Sequence, residues 1–218
     1  MKRFRDPFNG FSHLGALILS LVGTFILLGL TRPDPWRMFA TAVYGLSMSA
    51  SFLTSTMHHL IKGDRTLEIR LWKLDHAAIY PFIAGTYTPI CLYMLPGRSG
   101  FGLLIVVWIL AVLGMVYKLA LSRPPQSVKD PPDLRSTLIY VAMGWLILWK
   151  IAALTSHSVG LSLILAVVGG FLYTMGGVIL SFRLFDFWPD RFGHHEIWHL
   201  FVIAGASCFY GYIYWNFS

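Results

Sequence analysis

Three short stretches of the chain carry imidazoles and carboxylates at spacings that chemistry can use. Residues 55–59 read Ser-Thr-Met-His-His, residues 73–76 Lys-Leu-Asp-His, and residues 194–199 His-His-Glu-Ile-Trp-His. Ser55 and His59 are four apart, as are His195 and His199. On a helix each pair shares a face, with roughly 6 Å of rise between its members. Three imidazoles (His59, His195 and His199) with a nearby carboxylate meet the needs of a catalytic zinc, which takes three protein ligands and leaves a fourth position for water. Asp75 is suited to orient or deprotonate such a water, and Ser55 to hydrogen-bond a substrate or its oxyanion. The string His195-Glu196-Ile197-Trp198-His199 also spells H-E-x-x-H, which in a soluble protein suggests a zinc protease with Glu196 as base.

The elements that must position these residues are membrane helices. The 218 residues are 56% hydrophobic and only 12% charged, about half the charge fraction of an ordinary soluble domain. Apolar runs near the ~20 residues that cross a bilayer recur along the whole length. They fall at about 12–30, 37–60, 75–95, 101–121, 135–155, 159–182 and 195–215. The expectation is an all-α, seven-transmembrane-helix bundle that uses residues 1–218 as a single domain. No small-residue cleavage site follows the first run, which reads as a retained helix. The breaks are marked by "TRPDPW" (31–36), "KGDRTLEIRLWK" (62–73), "LPGRSG" (95–100), "SRPPQSVKDPPD" (122–133), "TSHSVG" (155–160) and "FDFWPDRFG" (185–193). Pro81 and Pro89 should kink the third span, and Gly169, Gly170, Gly176 and Gly177 let neighbours approach the sixth. Cys91 and Cys208 lie in apolar runs and read as small buried hydrophobes.

Charge gives an orientation. Of the 17 lysines and arginines, all but Arg32, Arg37, Arg98 and Lys150 fall on the side of the N-terminus. Positive-inside then places the N-terminus in the cytoplasm and the C-terminus outside, as an odd number of spans requires. The net charge of +7 is explained by basic loops, with no nucleic-acid partner implied. In this topology Ser55, His59, Asp75, His195 and His199 all lie near the cytoplasmic boundary. Ionisable groups within a membrane face the bundle interior or water and mark functional sites. A single i, i+4 histidine pair would be weak ground for a metal; two pairs and an aspartate at one depth are stronger.

"GLSMSASFLTSTMHHL", "KLDHAAIYPFIAGTYTP" and "GHHEIWHLFVIAG" resemble three signature stretches of the hemolysin III family, the bacterial branch of the progestin and adiponectin receptor (PAQR) superfamily. The resemblance runs from "FNGFSHLGALI" to the seventh span. It implies a zinc ion on His59, His195 and His199, with Asp75 acting through a water, in a bacterial inner membrane. The superfamily is also related to alkaline ceramidases, which implies amide hydrolysis of a lipid. His58 and His194 double the choice at each site, but only His59 and His195 make the four-residue spacings to Ser55 and His199. His58 and His194 therefore read as interfacial side chains reaching headgroups. His76 reads as a packing or supporting residue. His13 is either a supporting partner or an interfacial residue, and His157 lies on the opposite side. No His, Asp or Glu follows His199 up to Ser218, so a zincin's downstream third ligand is lacking. Glu196 reads instead as a negative charge favouring a helix N-terminus.

Three functions compete at this point. The first is a zinc-dependent hydrolase acting on acyl or amide bonds of membrane lipids and linked to lipid homeostasis. The second is a zinc-stabilised sensor or receptor-like protein without catalysis. The third is the haemolytic activity in the family's name, although few polar stripes exist to line a pore.

Overall fold

The computed structural model describes residues 4–95, 97–123, 133–157, 160–188 and 192–218. Among them the chain is all-helical, and the β pairing is limited to a bridge between Trp188 and Phe192. The helices are α1 (Pro7–Thr31), α2 (Pro35–Leu60), α3 (Arg65–Pro89), α4 (Gly97–Val116), α5 (Leu134–Trp145), α6 (Ile151–His157), α7 (Gly160–Phe182) and α8 (His194–Phe217). Short π-helical turns continue α3 over Ile90–Met94 and α4 over Tyr117–Leu121. Most of the predicted 122–133 break lies outside the described residues.

Pro7–Thr31, Gly100–Leu121, Ser162–Phe182 and His194–Phe217 are long and apolar enough to cross a membrane. Their outer faces carry large apolar side chains in the open; Phe25 is 82% and Leu19 70% exposed. Water would not tolerate such a surface, whereas lipid is its natural solvent. α2 and α3 are 26 and 25 residues long, enough at 1.5 Å per residue for a ~30 Å hydrocarbon layer. Their serines, threonines, histidines and charges hold them below the same apolarity.

Two expected boundaries are corrected. The third helix begins at Arg65, not near 75, so most of the supposed break at 62–73 is helix. Asp64 caps it, accepting a hydrogen bond from Leu67 N at 2.8 Å, and Glu68 in the first turn favours the dipole. An apolarity window could not see this charged, exposed extension.

The fifth expected helix, 135–155, is broken into α5, a 3₁₀ turn over Leu146–Lys150, and α6. The cause is Tyr87. Its hydroxyl donates to Met143 O (2.9 Å) and Gly144 O (2.7 Å) and accepts from Ile147 N (3.0 Å). A side chain inserted into the i→i−4 ladder breaks a helix there.

α1 packs between α2 and α8, and α2 between α1 and α3. α8 is backed by α7, α7 by α5, and α5 returns to α3; α4 also packs on α3. The helices thus form a ring. Its core includes fully buried Tyr44, Tyr80, Met143 and Tyr212. The glycines of α7 do what their spacing suggested. A Cβ at Gly169 would sit 2.9 Å from the Phe209 ring, and one at Gly176 2.9 Å from Phe201 Cβ, so their absence lets α8 close on α7. Cys91 and Cys208 are free. Near the Pro-rich break, buried Lys118 reaches Asp133 at 2.7 Å and lies 5.0 Å from the Trp72 ring centre.

Candidate metal centre

The C-terminal turn of α2 and the N-terminal turn of α8 meet at one end of the ring. His59 is 1% exposed, His199 is fully buried, and His195 is half-buried beside them. The three ring centres form a triangle with sides of 4.8 Å (His59–His199), 4.9 Å (His195–His199) and 5.2 Å (His59–His195). One ring nitrogen from each lies within 4.8 Å of the others. A zinc ion binds imidazole nitrogen at ~2.0–2.1 Å and so stands roughly 3 Å from each ring centre; tetrahedral directions then separate the centres by roughly 5 Å. The triangle has that size.

Hydrogen bonding leaves the right atoms free. His59 Nδ1 donates to Asp6 Oδ2 at 3.2 Å, and His199 Nδ1 is hydrogen-bonded to His13 Nε2 at 2.7 Å. The Nε2 atoms of His59 and His199 are buried with no hydrogen-bond partner among the described residues. A buried, unpartnered imidazole nitrogen is costly unless something accepts its lone pair. A divalent cation of borderline softness meets that need, so these residues fit zinc.

Ser55 and Asp75, both buried, open from α2 and α3 onto a cavity of about 220 Å³. An Asp75 oxygen lies within 4.8 Å of ring nitrogens of both His58 and His59. The cavity continues from this polar end between α3, α5, α7 and α8 past Phe82, Ile83, Val202 and Phe209. Its walls are mostly apolar beyond the carboxylate.

The remaining histidines divide differently from expectation. His58 does not reach headgroups: it is 4% exposed, stands edge-on to His59 at 4.7 Å, and forms a second potential ligand group with His59 and Asp75. α2 ends only after Leu60, so both members of the doublet are still inside the bundle. His194 is half-buried, and its Nδ1 is covered. His76 packs on Trp72 at 4.4 Å and hydrogen-bonds Trp72 O through Nδ1. His13, left open by the sequence, is a direct partner of His199. The side chain of His157 lies outside the described residues.

Glu196 is committed to helix ends. One oxygen accepts from Gly193 N at 2.9 Å, closing the first turn of α8, and the other accepts from Asn9 Nδ2 at 3.1 Å. Asp6 is the residue that sequence reasoning missed. Partial burial works against its charge, but the His59 hydrogen bond and the nearby Arg5 guanidinium outweigh it, so its carboxyl sits below its usual range. Its only local signal was its place one residue before Pro7 at a helix start.

Fold and site together define an integral membrane protein of the all-helical class with a candidate metal centre built from its second and last helices. The family model for haemolysin-III related proteins matches residues 1–210, and the chain belongs to that family. It is 33% identical over 204 residues to a hemolysin-3 homolog of Bacillus subtilis, covering 93% of this chain and 89% of the relative. It is 36% identical over 201 residues to hemolysin-3 of Bacillus cereus, covering 91% and 85%. More distantly, it is 28% identical over 184 residues to the rice (Oryza sativa subsp. japonica) heptahelical transmembrane protein ADIPOR2, covering 75% of each.

Proposed function

We propose that this protein is a zinc-dependent hydrolase of acyl or amide bonds in membrane lipids, linked to lipid homeostasis. The observation that carries the reading is the Asp75 carboxylate between the histidine cluster and the head of a long apolar cavity. Zinc, when bound by His59, His195 and His199, would supply Lewis acidity towards a carbonyl and acidify water. The chain's own groups do the rest. The cavity walls hold an acyl chain and exclude bulk water. Ser55 donates its hydroxyl to the carbonyl oxygen or its developing charge. Asp75 takes the proton of the attacking water and returns it to the leaving nitrogen or oxygen.

The same reading has seven spans, with α5 and α6 together forming the fifth, in a single domain with its N-terminus in the cytoplasm. The placement of lysine and arginine supports that orientation, and the heptahelical name of the rice relative supports the count. In a bacterial inner membrane this puts the site near the cytoplasmic face, where lipids reach it sideways between helices.

The test is release of fatty acid from ceramide-like and other acyl lipids by zinc-loaded protein in detergent. Release that Asp75→Asn removes while zinc stays bound supports the hydrolase. Absence of release from every acyl lipid, with one zinc per chain, turns the reading to a zinc-stabilised sensor.

A further inference from the structure

We propose that the first turns of α1 form a positioning layer that sets which ring nitrogen the histidines present to the metal. The inference rests on the reading that the cluster holds zinc. Asp6, Asn9 and His13 follow at intervals of three and four residues, so they share one edge of the helix start. All three reach the site, and each reaches a different group. Asp6 receives the His59 Nδ1 proton and also donates its own backbone N–H to His59 O at 2.9 Å. Asn9 is 1% exposed and holds Glu196 in the first turn of α8. His13 is 4% exposed and hydrogen-bonds His199. Gly10 permits the approach, because a Cβ there would run into the Leu60 side chain next to His59.

Proton counting makes the arrangement directional. A carboxylate only accepts, so His59 carries its proton on Nδ1 and its lone pair on Nε2. If His199 also gives Nε2 to the metal, its Nδ1–H donates to His13 Nε2, and the His13 proton sits on Nδ1, which is buried with no hydrogen-bond partner among the described residues. The two buried, unpartnered Nε2 atoms are the ones this scheme frees. Carboxylate and imidazole partners of this kind fix ring orientation and raise ligand basicity. Asp6 and His13 are positioning residues, since neither needs to touch zinc or substrate.

Zinc affinity of the purified full chain, measured by competition with a chelator, tests this without any turnover. Asp6→Ala and His13→Leu should each weaken zinc 10–100-fold and alter the visible spectrum of the cobalt-loaded protein. His13→Gln, whose amide oxygen can stand in for Nε2, should recover most of the affinity. Asp6→Asn should fall between Ala and wild type, because it keeps an acceptor but loses the charge. These two conservative variants also carry the test if the truncations do not fold. Wild-type affinity and spectrum in both truncations, with zinc lost in His199→Ala, would overturn the positioning layer and leave the metal reading standing. Equal zinc uptake by wild type and His199→Ala would overturn the metal reading, and the inference with it.

Discussion

Asn9 donates to Glu196 across 3.1 Å, and that bond occupies the one carboxylate oxygen that the Gly193 cap leaves over. A glutamate so committed ties the start of α1 to the start of α8. Asp75→Asn should lower turnover by ~10²–10⁴-fold, the usual contribution of a general base, with zinc retained. Glu196→Gln should fall well short of that and cost about 1 kcal/mol of stability, because one accepting oxygen becomes an amide nitrogen that cannot accept. Acyl release and thermal melting of the two variants decide; loss of turnover in Glu196→Gln alone would restore the H-E-x-x-H base.

Metal content should be about one zinc per chain. His195→Ala and His199→Ala should abolish it, each removing one of three protein ligands, and His194→Ala should retain it. His58→Ala is the informative variant, since His58 is buried against His59 and near Asp75. Elemental analysis should show zinc kept in His58→Ala and lost in His59→Ala. The opposite pattern would put His58 in the place of His59, whereas loss in both with retention in His195→Ala and His199→Ala would move the site to His58, His59 and Asp75.

The orientation can be read with single cysteines in a chain whose Cys91 and Cys208 are replaced. A cysteine at exposed Arg98 should react with an impermeant thiol reagent added to intact cells, and one at exposed Thr66 should not. Labelling at Thr66 alone would invert the topology.

Lys118 is buried while its partner Asp133 is 37% exposed. Asp133→Asn strands the cation and should cost about 3 kcal/mol, the lower end for breaking a buried pair because water already reaches the carboxylate. Lys118→Met should cost less. Burial opposes the charge of Asp133, but hydrogen bonds from Lys118 and Ser136 outweigh it and hold its pKa down. Its contribution is therefore complete above the usual carboxylate range and lost as pH falls through the lower folded value. Melting temperatures of wild type and Asp133→Asn should converge in acid. A larger loss in Lys118→Met than in Asp133→Asn would refute the stranded-cation account.

Local pattern made most of the fold legible. α1, α4 with its π-helical end, α7 and α8 match apolar runs, because lipid selects length and apolarity directly. The charged start of α3 and the break at Leu146 escaped that pattern. One depends on the Asp64 cap, the other on a tyrosine from a different helix. At the site, the i, i+4 spacings pointed to Ser55, His59, His195 and His199, which the structure gathers with Asp75 at one end of the ring. Asp6 and the role of His13 were invisible, since their partners lie 53 and 186 residues away. The burial of His58 was misread because the end of a helix need not be the edge of the bundle.

The ring of helices has a seam where α1 meets α8, and the histidine cluster sits on it. A ribosome delivers Asp6, Asn9 and His13 first and His195 and His199 last. Every other wall can be in place before α8 arrives, yet the cluster cannot exist until it does. Loop-closure entropy over such separations must be met before the contacts form, so bound zinc would report that the whole chain has been inserted. A chain ending before His194 should enter the membrane and carry none, a difference that metal analysis of the truncated protein would show.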